Sequence, residues 1–454
     1  MMKKELILII VGLSAAVVGA YGPMLSPGFV QISKELHISV EVLSQATAWL
    51  ILTLGLILFI TNPLAKIYGR RPIYLMAIII MFVTSVWAAK TTEYNSFLAS
   101  RIVGGIGMAP YEVLVQCTIG DMYFVHERAT RIAVWNLFLL TGIAGGSLVS
   151  GYIIQLDGYR WTFGVCAIFF GILMFGVVFF VPETAYRRDA LVVIPVPDDG
   201  SGVEDEEKPQ ATSQEHVKMT IAHEHDHSQL AGEKDKHLSY SVSYGSTTLT
   251  WIVVFSVVNG VIFVEPPYNF TVSQTGLISL SPFILTILGE LISGPLNDWI
   301  CLSLTRRNKG IYEPEFRLPL MIVTIILGTV GFFGFGATVH FQTHWSGPVL
   351  CFGFANMSLA FASTCVFGYV IDSYKSLAEE AFVAINARNF LTFGLTYFVN
   401  SWLAESGALE VFCILGALFL LVCFFTVPLW IFGKKIRSWI GRNERLEKFM
   451  NDDF

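Results

Sequence analysis

Long apolar runs alternate with short polar breaks along this chain, and that rhythm predicts its architecture. Stretches near 6–29, 43–62, 73–90, 96–118, 131–154 and 160–181 are each long enough to cross a bilayer as a helix, which takes about 20 apolar residues. After a polar interruption six more follow, near 248–267, 274–299, 318–337, 346–370, 382–403 and 408–432. In hydrocarbon the backbone must satisfy its own hydrogen bonds, so such runs predict helices. The expected fold is an all-α membrane protein with twelve transmembrane helices in two pseudo-symmetric six-helix bundles. Residues 1–182 make the first bundle and 248–433 the second. A disordered cytosolic loop over 183–247 joins them, and a cytosolic tail spans 434–454.

The halves repeat one another. Asn62-Pro-Leu-Ala-Lys-Ile-Tyr-Gly-Arg-Arg71 lies between the second and third runs. Gly294-Pro-Leu-Asn-Asp298 and the pair Arg306-Arg307 lie between the eighth and ninth. The fourth run ends Gly120-Asp121-Met-Tyr123, and the tenth ends Ile371-Asp372-Ser-Tyr374. Glu127 then precedes Asn136 at the spacing with which Glu380 precedes Asn389. Matching chemistry at matching points predicts a parallel duplication around a central site that opens to each side in turn.

Charge then sets the orientation. Only 14% of residues are charged, against about 25% in soluble domains. With the N-terminus in the cytosol, the inner segments collect Lys3, Lys4, Lys66, Arg70, Arg71, Arg306 and Arg307, together with a basic tail. The outer loops hold Lys34, Lys90 and Arg160. Basic residues gather on the cytosolic side, so both termini are expected there, in a multi-pass protein of the plasma membrane. The first run is too long for the apolar part of a cleaved signal and is followed by further spans, which predicts an uncleaved helix. The seven cysteines sit in or beside apolar runs, a placement that implies no disulfide framework. The insert contains His223-Glu-His-Asp-His227, read as a solvated segment because nothing fixes the ligands. No cofactor and no metal site are expected. No phosphate-cradling Gly-rich loop argues for ATP-driven pumping. No Ser-His-Asp or His-Glu-x-x-His grouping argues for an enzyme. The expected partners are a small-molecule substrate, protons and the lipid bilayer, with no nucleic acid, and the expected state is a monomer.

Ionisable groups inside the membrane are costly and point to function. Arg101 and Glu112 are eleven residues apart in the fourth run, about three helical turns, so they share one face, which Gln116 continues. Glu112 is the leading candidate for a proton-exchanging or cation-binding carboxylate, and Glu290 in the eighth run is the second. Either acid is otherwise a structural partner of a nearby polar group. Tyr111 and Tyr268 are candidate aromatic walls for a flat or cationic ligand. On the inner side, Asp121 is expected to meet Arg70 or Arg71, and Asp372 to meet Arg306 or Arg307, as latches.

Twelve spans, a long loop after the sixth and the duplicated Pro-Leu…Arg-Arg signature resemble the major facilitator superfamily. Pro182-Glu-Thr-Ala-Tyr-Arg187, Phe124-Val-His-Glu-Arg128, Pro266-Pro-Tyr268 and Arg307-Asn-Lys-Gly-Ile-Tyr-Glu-Pro-Glu-Phe-Arg-Leu318 narrow the likeness. Together they are similar to the fungal twelve-span drug:proton antiporter group, in a branch that includes cation and polyamine permeases. The resemblance implies proton-coupled efflux of a drug-like compound or secondary metabolite. Uptake of an organic cation such as a polyamine, or a non-transporting nutrient sensor, are the alternatives. Two positions depart from the family pattern. Lys66 stands where the loop motif carries an acid, and its expected partners are Glu379 or Glu380; the second copy keeps its acid as Asp298. In the fifth run, Gly142, Gly146 and Gly151 keep the small residues that let helices pack closely, but serines replace the family's proline and one glycine.

Overall fold

The computed structural model describes residues 2–123, 125–183, 253–373, 385–424, 426–428 and 430–431. Helix α1 (Met2–Tyr21) runs into a tight turn at Pro23–Gly28, where two prolines cannot donate to a continuing helix. A short α2 (Phe29–Glu35) completes this first apolar passage. Next comes α3 (Val40–Tyr68), whose first turn is capped by Ser39 accepting from the Val42 amide at 3.3 Å; the cap satisfies one of the donors a helix start leaves over. The half is completed by α4 (Arg70–Lys90), α5 (Tyr94–Met122), α6 (Val125–Asp157) and α7 (Tyr159–Phe180).

The second half contains α8 (Val253–Ile262) and α9 (Val272–Ile278), which opens on a capping box between Thr271 and Gln274. Then follow α10 (Leu280–Arg307), α11 (Met321–His340), α12 (Ser346–Ser373) and α13 (Arg388–Phe424). Gly407 interrupts α13 with φ +78°, a backbone conformation that costs glycine little, and so divides the eleventh apolar run from the twelfth. Among the described residues ten helical passages are long and apolar enough to span a membrane. The short α8 and the break at Gly407 correspond to the two further runs. The central loop beyond Glu183, its His223–His227 segment and the C-terminal tail lie outside the described residues.

Packing repeats with the sequence. In the first half α3 packs on α5, and α4 on α5 and α7. In the second, α10 and α11 pack on α12, and α13 on α11. The fourth and tenth runs are the most enclosed, with 78% and 67% of their apolar windows buried, against 22% for α7. Each repeat therefore has the same central helix. Leu156, Ile172, Phe175 and Phe179 face outward, the apolar belt that acyl chains require.

Small residues decide how closely α1 and α6 approach. A Cβ on Gly142 would run into the Ala16 carbonyl and sit 2.6 Å from its Cα, and one on Gly146 would lie 2.8 Å from the Ala20 Cα. Glycines four residues apart thus face alanines four residues apart, the small-residue pattern of close membrane helix pairs. Gly151 instead meets Gly276 of the other half, 2.7 Å from its Cα to an added Cβ. Replacing Gly142 by Val is expected to force α1 and α6 apart and cost about 1–3 kcal/mol, read as a lower melting temperature in detergent. The control is Gly394→Ala, inside a helix, whose added Cβ meets nothing within 4 Å and which should not lower melting, since alanine suits a helix interior better than glycine.

Candidate functional site

A cavity of about 110 Å³ lies between the halves. Its walls are mostly apolar, with Leu50, Ile51, Leu54, Met108, Leu140 and Ile143 among them, and Tyr111, Glu112, Arg388 and Asn389 also line it. Glu112 projects from α5 and Arg388 opens the described part of α13. They form an ion pair through Glu112 Oε1 and the Arg388 guanidinium. Asn389 Nδ2 donates to the other oxygen, Glu112 Oε2, at 3.3 Å. The side chains of the pair are 14% and 11% exposed. Taking two such charges out of water is unfavourable unless each meets the other and further donors, and here the partners of Glu112 come from the opposite half.

The volume describes the state of the molecule. Pockets for drug-sized ligands occupy roughly 300–1,000 Å³, and this one is smaller. Toward the face opposite the arginine loops the halves close on one another. Gly260 abuts the Ser26 carbonyl, Gly151 abuts Gly276, and Ser273 N donates to Gln155 Oε1 at 2.8 Å. Ser401 also donates to Glu41.

Glu290 occupies a separate buried network. Its Oε1 accepts from Asn136 Nδ2 at 2.6 Å and Ser363 Oγ at 3.4 Å, and its Oε2 accepts from Thr364 Oγ1 at 3.5 Å. Asn136 comes from α6, across the seam, so this carboxylate too is served from the other half. Glu290 has no cationic partner among the described residues.

The remaining sequence candidates disperse. Arg101 shares a helix face with Glu112 but does not enter the cavity. It is fully buried and donates to the carbonyls of Tyr21 at 2.8 Å and Gly22 at 2.9 Å, with its guanidinium 4.8 Å from the Tyr21 ring. It closes the end of α1, where carbonyls lack helical partners. Gln116 is buried in α5 outside the cavity lining. Tyr111 lines the cavity and packs its ring 5.5 Å from Tyr74. Tyr268 stands away from it, donating to the Thr343 carbonyl at 3.2 Å beside Phe263 and Phe270.

On the arginine-bearing face the loops pair differently from expectation. Asp372 meets Arg317 Nε at 2.6 Å and accepts from the Tyr312 hydroxyl. Partial burial, and the bond it donates to that carboxylate, push the Tyr312 phenol above its ordinary range. Asp298 lies 3.8 Å from the same arginine. Arg306 and Arg307 are exposed and form no ion pair among the described residues. The reason is placement: the turn at Pro314–Leu320 sets Arg317 against α10 and α12, whereas the arginine pair ends α10 in solvent. In the first half, Glu183 spans the amides of Arg70 at 2.9 Å and Arg71 at 3.2 Å, an anion at the positive start of α4. Gly69, at φ +93°, leaves room for it, since a Cβ there would sit 2.5 Å from Glu183 Oε2. Arg71 also donates to the Val178 carbonyl at 3.0 Å. The side chains of Lys66 and Asp121, and residues Glu379 and Glu380, lie outside the described residues, and so do the pairings expected of them.

Sequence reading missed Arg388, whose partner is 276 residues away, and the roles of Asn136 and Asn389. The repeat had marked both asparagines, but not their partners.

A profile of the Major Facilitator Superfamily matches residues 7–395. An uncharacterized MFS-type transporter of Schizosaccharomyces pombe is 24% identical over 97% of this chain and 85% of its own length. Protein HOL1 of Saccharomyces cerevisiae is 22% identical over 89% and 82%, and the efflux pump radE of Floropilus chiversii is 24% identical over 91% and 77%. Among solved structures, the xylose transporter XylE from E. coli in a partially occluded inward-open conformation superposes with a TM-score of 0.65. It is 16% identical, covering 94% of this chain and 98% of that one, so this likeness is one of fold.

Arg317→Ala is expected to lower stability by roughly 1–3 kcal/mol, the worth of hydrogen bonds to a charged partner, whereas Arg306→Ala and Arg307→Ala leave it unchanged. Thermal melting of the three purified variants checks this; equal melting of all three contradicts the assignment of Arg317 as the partner of Asp372.

Proposed function

The chain belongs to the major facilitator superfamily and is a multi-pass secondary transporter of small molecules; we propose that it couples transport to protons, with Glu112 as the group that exchanges them. The observation that carries this is the Glu112–Arg388 pair in a mostly apolar cavity, joined across the two halves. Parting the halves withdraws Arg388 and Asn389 together, because both belong to α13. Glu112 is then a carboxylate in a poorly polar space, where it takes either a proton or the cationic group of a substrate. Two cations that compete for one carboxylate, each released when Arg388 returns, make an antiporter. Because proton and substrate alternate at this site, transport follows the proton gradient without ATP.

We take efflux of a drug-like compound or secondary metabolite as the direction of transport. The apolar walls suit an amphipathic solute, and the relative from Floropilus chiversii carries the name of an efflux pump. Uptake of an organic cation is the second reading, favoured by a lone cavity carboxylate released by its own arginine. Both termini are assigned to the cytosol from the distribution of basic residues, and the protein to the plasma membrane as a monomer. The six-helix bundles are taken as 1–182 and 248–433.

The test uses proteoliposomes loaded with a pH-sensitive dye and a panel of polyamines, azoles and fungal metabolites. The wild-type protein should move protons when a substrate is added. Glu112→Gln should reduce that proton flux roughly tenfold or more, the equivalent of about 1.4 kcal/mol, while substrate exchange without a proton gradient persists. Full proton-driven transport by Glu112→Gln refutes the assignment. Binding without any flux in the wild type would instead indicate a sensor.

A further inference from the structure

We propose that Asn136 and Asn389 are positioning residues that latch the two halves together, each by donating its side-chain amide to a carboxylate of the opposite half. The two are repeat mates: each follows a glutamate, Glu127 or Glu380, at the same spacing. Asn136 on α6 reaches Glu290 on α10, and Asn389 on α13 reaches Glu112 on α5. Both asparagines are nearly fully buried, at 2% and 5% exposure.

The surroundings are built for that reach. Gly55 of α3 lets α13 come so close that an added Cβ would lie 2.9 Å from the Asn389 Cβ. Beside it Phe59 stacks on Phe390, with ring centroids 6.1 Å apart. In the other seam Trp135, next to Asn136, packs 6.4 Å from Phe367 of α12. Apolar contacts of this kind are not directional; they tolerate sliding and leave register to the polar groups. An amide bond to a carboxylate is short-ranged and directional, so it distinguishes the engaged arrangement from a displaced one.

The latches are not equivalent. Glu112 loses every partner described for it when the halves part, because Arg388 and Asn389 leave together. Glu290 loses Asn136 and keeps Ser363 and Thr364, which belong to its own half. The Asn389 latch is thus tied to the exchanging carboxylate, and the Asn136 latch to a carboxylate that stays satisfied. The inference rests on the proton-coupling reading only for what the first latch controls, not for the existence of either.

Hydrogen–deuterium exchange of the full chain in nanodiscs, read over peptides of α6, α10 and α13, tests it without any substrate. Asn136→Leu and Asn389→Leu remove the donor at similar size, and each should speed exchange at its own seam roughly ten- to hundredfold, the range set by a hydrogen bond to a charged group. Asn136→Asp combined with Glu290→Gln reverses donor and acceptor and should restore the wild-type rate, which a general packing defect would not allow. Should Asn136→Leu fail to fold, Asn136→Ser removes the reach in a smaller polar side chain. An unchanged rate in a Leu variant removes that asparagine from the proposal, and failure of the reversed pair to restore protection overturns the latch. Because nothing is transported in this experiment, its failure leaves the proton-flux test of Glu112 untouched, and the converse holds.

Discussion

Two carboxylates held away from water between two rigid bodies constrain the whole molecule. A buried acid needs compensating donors or a positive charge, and Glu112 and Glu290 each draw part of theirs from across the seam. Any motion that separates the halves therefore changes what satisfies these acids. A structure in which each half served its own acids would have no such link between position and charge.

The rest of the architecture makes that link mechanical. Inside the first half the helices pack closely, Gly142 and Gly146 against Ala16 and Ala20, and Arg101 closes the end of α1. Well-packed interiors resist continuous deformation, which favours motion of one bundle against the other over bending within either. Between the halves the contacts are sparser and include the polar pairs of longest sequence separation, those of Asn136, Arg388, Asn389 and Ser401. On the arginine-bearing face, Glu183 caps α4 and Arg317 holds Asp372, which ties loops to helices within a half and leaves the seam to the buried acids.

Much of this was legible in the sequence, and the failures have physical causes. Apolar runs set the helices because a bilayer permits little else, and the duplicated motifs announced two like bundles. Glu112 and Glu290 stood out because charge in a membrane is costly. Arg101 lies away from the cavity because a shared helix face says nothing of height: eleven residues rise about 16 Å, enough to place it at the end of α1. Arg388 and both asparagines had partners set only by tertiary structure. The basic pair at 306–307 resembled a latch, but a turn eleven residues on, carrying Arg317, took that place. Local pattern identifies costly residues, and topology chooses their partners.

Separation of the halves and the charge of Glu112 should therefore change together, because its described partners all come from across the seam. Double electron–electron resonance between spin labels on Ile67 and Trp299, both exposed and on different halves, measures it directly in a chain whose seven cysteines have been replaced. The distance distribution should change between neutral and acidic pH in the otherwise wild-type chain. It should no longer respond once Glu112→Gln is introduced. Identical distributions at both pH values, or an unaltered response in the Glu112→Gln variant, would break the link between charge and position.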